Sequence, residues 1–114
     1  MPQEVFFLAR PAYRYAVELI TAHDGDTYKF DVDLGFGSHL KIWVRLLEWG
    51  CPELKTNDGK LAQKIAEHAL TQAKQILIET VKDEQTFYRW LARVYVDGQD
   101  IGEILHAAGL AEKR

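Results

Sequence analysis

Asp24-Gly25-Asp26-Thr27-Tyr28-Lys29-Phe30-Asp31-Val32-Asp33-Leu34 is the stretch that settles how this chain is read. Asp-Gly is a hairpin-turn dipeptide, because both residues accept the backbone angles a tight turn needs. From Thr27 onward the side chains alternate. Tyr28, Phe30, Val32 and Leu34 are apolar; Lys29, Asp31 and Asp33 are charged. Successive side chains of a strand point to opposite faces, so the pattern predicts a strand half buried and half wet. Working outward, Tyr13 to Ala22 alternates loosely and reads as the strand before the turn. Gly35-Phe36-Gly37-Ser38 reads as the turn after it. His39 to Leu47 reads as the third strand.

Past Pro52, which kinks the chain, Lys55 to Asp58 is a polar loop. Gly59 to about Ala73 is helical in pattern: Leu61, Ile65 and Ala69 form a stripe, widened by Ala62, Ala66, Leu70 and Ala73. Ile76 to Val81 is rich in β-branched residues and predicts a fourth strand. Lys82 to Thr86 reads as a charged turn, and Phe87 to Val96 as a fifth strand closed by Asp97-Gly98. Asp100 with Glu103 resembles a capping box for a short helix through Ala108, which Gly109 stops. Five strands, a helix between the third and fourth, and a short C-terminal helix predict a β-rich α+β chain. The arrangement fits the OB-fold, a five-stranded partly open barrel.

The 114 residues, 47% hydrophobic and 27% charged, suit a single globular domain spanning 1–114, with no repeat or linker. No apolar run is long enough to cross a membrane. The apolar segment Val5 to Ala9 is short and lacks a basic leader, so the expected location is cytoplasmic. Cys51 is the only cysteine, which excludes an intramolecular disulfide. Its neighbours Glu48 and Glu53 favour an inert thiol over a reactive one. A net charge of −3 argues against tight nonspecific binding of nucleic acid. It leaves room for a local basic groove or transient substrate binding. His23, His39, His68 and His106 have no metal-ligand spacing.

Chemistry gathers around four residues. Arg45 ends the apolar run Ile42-Trp43-Val44, Glu53 follows Pro52, Arg89 precedes the run Leu91 to Val96, and Asp26 lies in the Asp-Gly-Asp turn. Guanidinium forks match phosphate oxygens, and a carboxylate can take a proton from attacking water. These are the parts that phosphodiester hydrolysis requires.

In order and spacing, five motifs resemble the staphylococcal-nuclease-like (thermonuclease) family. They are His23-Asp24-Gly25-Asp26-Thr27, then Val44-Arg45-Leu46-Leu47-Glu48-Trp49-Gly50-Cys51-Pro52-Glu53, then Asp58-Gly59-Lys60-Leu61-Ala62. Tyr88-Arg89-Trp90-Leu91-Ala92-Arg93-Val94-Tyr95-Val96-Asp97-Gly98 and Gly109-Leu110-Ala111 complete the set. The resemblance covers Tyr15 to Ala111 and is to the compact phage and bacterial type. It implies an OB-fold nuclease acting on DNA or RNA, with Glu53 as general base and Arg45 and Arg89 on the scissile phosphate. It also implies a Ca²⁺ held by the Asp26 carboxylate and the Cys51 backbone carbonyl. The family carries Ile-Asp where this chain has Trp49-Gly50, so the implied calcium site is weak or lost. Tyr88 stands where the family has a glycine before the arginine.

Glu48, Asp31 and Asp33 are spare acids, expected to be solvated. Asp24 is expected to be a turn residue. Trp43, Trp49, Tyr28 and Phe36 are mostly expected in the core. Trp49 and Tyr88, which flank the motifs, are the candidate stacking faces for bases. The alternative function is a catalytically inactive OB-fold module that binds nucleic acid or a protein partner.

Overall fold

The alternating run forms the wall of a barrel. The structure, a computed structural model, describes residues 13–86 and 89–114, with 82–86 described by backbone alone. The elements in chain order are β1 (Arg14–Ala22), β2 (Thr27–Gly35), β3 (Ser38–Leu46) and the two-residue β4 (Trp49–Gly50). Helix α1 (Asn57–Gln72) follows, then β5 (Ile76–Thr86), β6 (Arg89–Val96) and the two-residue β7 (Gln99–Asp100). Helix α2 (Ile101–Ala107) and the two-residue β8 (Glu112–Lys113) come last.

The long strands are ordered β3-β2-β1-β5-β6, each antiparallel to its neighbour, and β3 also runs parallel to β6. That last pairing, Val44 with Trp90 through Leu46 with Ala92, shuts the sheet into a closed five-stranded barrel. With its two described helices, the protein is β-rich α+β.

The period-2 pattern explains the filling. Tyr28, Phe30 and Val32 of β2 turn inward and meet Val44, Leu46, Ile78, Ala92 and Val94, all at or near zero exposure. Each large apolar side chain so enclosed contributes about 1.5–3 kcal/mol. Helix α1 presents Ala62, Ala66 and Leu70 to this core, and α2 presents Ile101 and Leu105. No described helix is long and apolar enough to cross a membrane.

Three expectations need correction. Leu34, assigned to the buried face of its strand, is 42% exposed, and Phe36 at the turn is fully exposed with φ +55°. The β2–β3 ladder continues to Asp33 and His39 after the core has ended, so alternation persists where nothing covers it. The charged stretch from Lys82 to Thr86 is strand rather than turn: Gln85 and Thr86 pair with Trp90 and Arg89. Backbone ladders do not require apolar side chains, and composition alone hid this extension. Phe87 and Tyr88, and the apolar segment Val5 to Ala9, lie outside the described residues.

Helix α1 starts earlier than its apolar stripe, at Asn57, because Thr56 caps it. The Thr56 hydroxyl accepts from the Gly59 N–H at 2.9 Å and donates to the Glu53 carbonyl at 2.7 Å. Gly59 itself lies against that carbonyl, so closely that a Cβ would overlap it. The helix start therefore docks directly onto the loop that carries Glu53. Asp100 caps α2 by accepting from the Gly102 N–H at 2.8 Å.

Candidate functional site

The Asp24-Gly25-Asp26 turn is held from several directions. His23 N–H donates to the Thr27 carbonyl at 3.0 Å, and Asp26 N–H donates to Asp24 Oδ1 at 3.1 Å. The hydroxyl of the fully buried Tyr28 donates to the Gly25 carbonyl from beneath. Asp26 is thereby fixed at 8% exposure. Its Oδ1 accepts from the Thr27 hydroxyl at 3.3 Å and its Oδ2 from the Cys51 N–H at 3.2 Å. Its backbone carbonyl accepts from the Leu46 N–H at 2.9 Å. One residue thus ties the turn to the end of β3 and to the Cys51-Pro52-Glu53 loop.

Burial dominates the electrostatics of this corner. It raises the Asp24 carboxyl above its ordinary range, with further upward pushes from Asp26. It lifts the Tyr28 phenol well above its usual value. Burial, then the charges of Asp26 and Asp24, push the Cys51 thiol up to about 12. The thiol is therefore neutral at physiological pH and packs as a small hydrophobe.

Arg45 and Arg89 come from the two strands that close the barrel. Arg45 lies opposite Leu91 across the parallel β3–β6 pairing, and Arg89 is two residues before Leu91 on the same face of β6. Arg45 is half buried, and its Nε is enclosed with no acceptor. Glu53 sits on the loop beyond. Its side chain is 74% exposed and pairs with Lys55 Nζ at 3.2 Å. Among the described residues, Arg45 makes no ion pair with Glu53, so the two do not form a buried structural bridge.

The spare acids are engaged elsewhere. Glu48, at φ +74°, accepts from Arg93 Nη2 at 2.6 Å and lies 3.8 Å from Lys113 Nζ. That bond raises the Arg93 pKa. Asp31 pairs with His39 at 3.1 Å, and Asp33 Oδ1 accepts from the Gly35 N–H at 2.8 Å. Among the described residues, no three His, Cys, Asp or Glu side chains are grouped to hold a metal ion.

Of the aromatic candidates, Trp49 is 3% exposed and packed on Gly102, with the His106 ring 5.4 Å away. It is core, not a stacking face. Trp43, half buried on the outward side of β3 with Arg45, is more accessible than Trp49; Lys29 Nζ lies 5.7 Å from its centroid. Tyr88 falls outside the described residues.

The residue that sequence reasoning missed is Arg114. Strand β8 pairs with β4, Trp49 with Lys113 and Gly50 with Glu112. The next N–H, that of Arg114, donates to the Glu48 carbonyl at 2.7 Å, and its Nη2 donates to the Leu46 carbonyl at 2.6 Å. Its aliphatic stem covers Gly50: a Cβ there would lie 3.2 Å from Arg114 Cδ. Burial and the Arg45 guanidinium lower the Arg114 pKa, Asp26 opposes them, and Arg89 adds to the lowering. Three guanidinium groups and one buried carboxylate share this corner. Glu112-Lys113-Arg114 has no periodicity, and a two-residue strand leaves no pattern to detect.

No protein-family model matches the chain, and no curated protein matches it. Two clefts, about 550 and 250 Å³ in volume, are lined by none of Asp26, Arg45, Glu53, Arg89 and Arg114. The larger is lined by residues such as Glu18, Asp33 and Lys74, the smaller by Tyr15, Ile42 and Trp90.

Proposed function

We propose that this protein is an OB-fold nuclease of the staphylococcal-nuclease-like kind, hydrolysing phosphodiester bonds of DNA or RNA. The observation that carries the reading is the placement of Arg45 and Arg89 on the two strands of the closing seam, Arg45 opposite Leu91 and Arg89 two residues before it, with Glu53 exposed on the loop tied to Asp26 through Cys51. A phosphate between the arginines would meet fixed donors, and charge developing on its oxygens would be stabilised without reorganisation. Glu53 is open to solvent, where it can accept a proton from an attacking water. Its weak, exposed pairing with Lys55 leaves the carboxylate available.

The donor set does not suit calcium. Hard cations of this size take six to eight oxygens. Gly50 offers no side-chain oxygen, the Arg114 stem lies over it, and both Asp26 oxygens already accept hydrogen bonds. No step in this reading is therefore assigned to a metal.

The test is degradation of plasmid DNA and of RNA with Ca²⁺, Mg²⁺, Mn²⁺ or EDTA. Glu53→Gln should slow cleavage by roughly a hundred- to ten-thousand-fold, and Arg89→Ala should be comparably severe. Glu53→Gln should leave the melting temperature almost unchanged, because an exposed ion pair contributes at most about 1 kcal/mol. Cleavage that survives both substitutions would sink the assignment. The second reading, a non-catalytic OB-fold module that binds nucleic acid, is favoured by the same Gly50–Arg114 contact. Oligonucleotide binding without cleavage under any metal would establish it.

A further inference from the structure

Resting on the reading of this corner as a phosphodiester site, we propose that the Arg114 guanidinium supplies the positive charge there, so that the site binds a nucleic-acid phosphate without a divalent cation.

The position of Arg114 is built. Strand β8 is paired to β4, and the Arg114 backbone N–H is bonded to the Glu48 carbonyl at 2.7 Å. The Nη2 bond to the Leu46 carbonyl anchors the guanidinium, using one of its five donors. The Leu46 peptide in turn donates to the Asp26 carbonyl, so the same residue links Arg114 to the buried carboxylate residue. The stem lies against the open side of Gly50. A Cβ there would sit 3.2 Å from Cδ and 3.4 Å from Cγ of Arg114, tight enough that the stem would have to give by a few tenths of an ångström. Glycine at 50 suits the observed place of the arginine.

A second observation points to an anion. Arg45 Nε is enclosed and has no acceptor. Buried donors are nearly always satisfied, and an exception calls for an explanation. Three guanidinium groups crowd this corner beside the carboxylates of Asp26 and Asp24. A phosphate oxygen would relieve the repulsion among them and accept from their outer N–H groups. The chemistry recognised is the phosphodiester group itself, in DNA or RNA.

The experiment uses the full chain and a fluorescent single-stranded oligonucleotide with a phosphorothioate backbone, read by anisotropy in EDTA and in millimolar Ca²⁺. The wild type should bind equally in both. Arg114→Gln should weaken binding roughly ten- to hundred-fold, the span of one charge-assisted hydrogen bond. It should also reduce the salt slope by about one, with the melting temperature held. Arg114→Lys should recover part of the loss. Gly50→Asp should weaken binding in EDTA by displacing the stem.

Wild-type binding that disappears in EDTA would overturn the proposal. So would an Arg114→Gln variant that binds as tightly as wild type; if Arg45→Ala then still weakens binding, the phosphodiester reading survives without Arg114. Absence of binding in both buffers would overturn that reading and this proposal together.

Discussion

At the scale of single residues, the turn at Asp24 stores a pH dependence. Burial and neighbouring Asp26 raise its folded pKa above the ordinary carboxylate value. Between the ordinary value and the raised one, the native state binds more protons than the unfolded chain. Stability contributed by this group therefore falls as pH rises through that window. An asparagine side chain in its place would still accept from the Asp26 N–H and would carry no charge to bury. We expect Asp24→Asn to gain melting temperature relative to wild type at pH 7 and to gain less, or nothing, at pH 4. Thermal denaturation of both proteins at the two pH values decides the matter. An advantage of the variant that is larger at pH 4 would reverse the sign and refute the account.

Among the elements, the start of α1 is the joint most exposed to test. Gly→Ala inside a helix normally stabilises by roughly 0.5–1 kcal/mol. At Gly59 the added methyl meets the Glu53 carbonyl, so we expect the opposite sign, a loss of about 1–3 kcal/mol typical of overpacking. Thr56→Ala should cost about 1 kcal/mol through the lost cap. Chemical denaturation measures both, and a stabilised Gly59→Ala would show that the helix does not dock as described. The same joint marks what the sequence disclosed. In α1 the part of the apolar stripe that faces the core is Ala62, Ala66 and Leu70, while Leu61, read from its period as part of the same stripe, is 48% exposed. The first turn of the helix was not legible, because Thr56 and Asn57 contribute hydrogen bonds rather than hydrophobic period. Arg45, Asp26 and Glu53 were legible as candidates because each stands beside a turn or strand signal. Arg114 was not, because its place depends on a two-residue pairing between residues far apart in the chain. Nor could composition show that β5 continues past Val81, since charged strand and charged turn look alike.

For the molecule as a whole, the seam between β3 and β6 separates a ring from an open sheet. The ladder of β5 against β6 is continuous from Ile76 to Thr80 and then loses register before Gln85. We expect amide hydrogen exchange to follow this boundary. Protection should be greatest around Phe30, Val44, Ile78 and Val94 and should fall along β5 beyond Thr80. Uniform protection to Thr86 would contradict it. The seam has one further effect. Val44 and Trp90 meet only after α1 and β5 have been made, so the strand that bears Arg45 joins the strand that bears Arg89 late in synthesis. On a translating ribosome, itself built of RNA, the emerging polypeptide carries isolated arginines and no groove. If this corner cuts nucleic acid, the cell is shielded during synthesis by chain order alone, with no inhibitor required until the ring has shut.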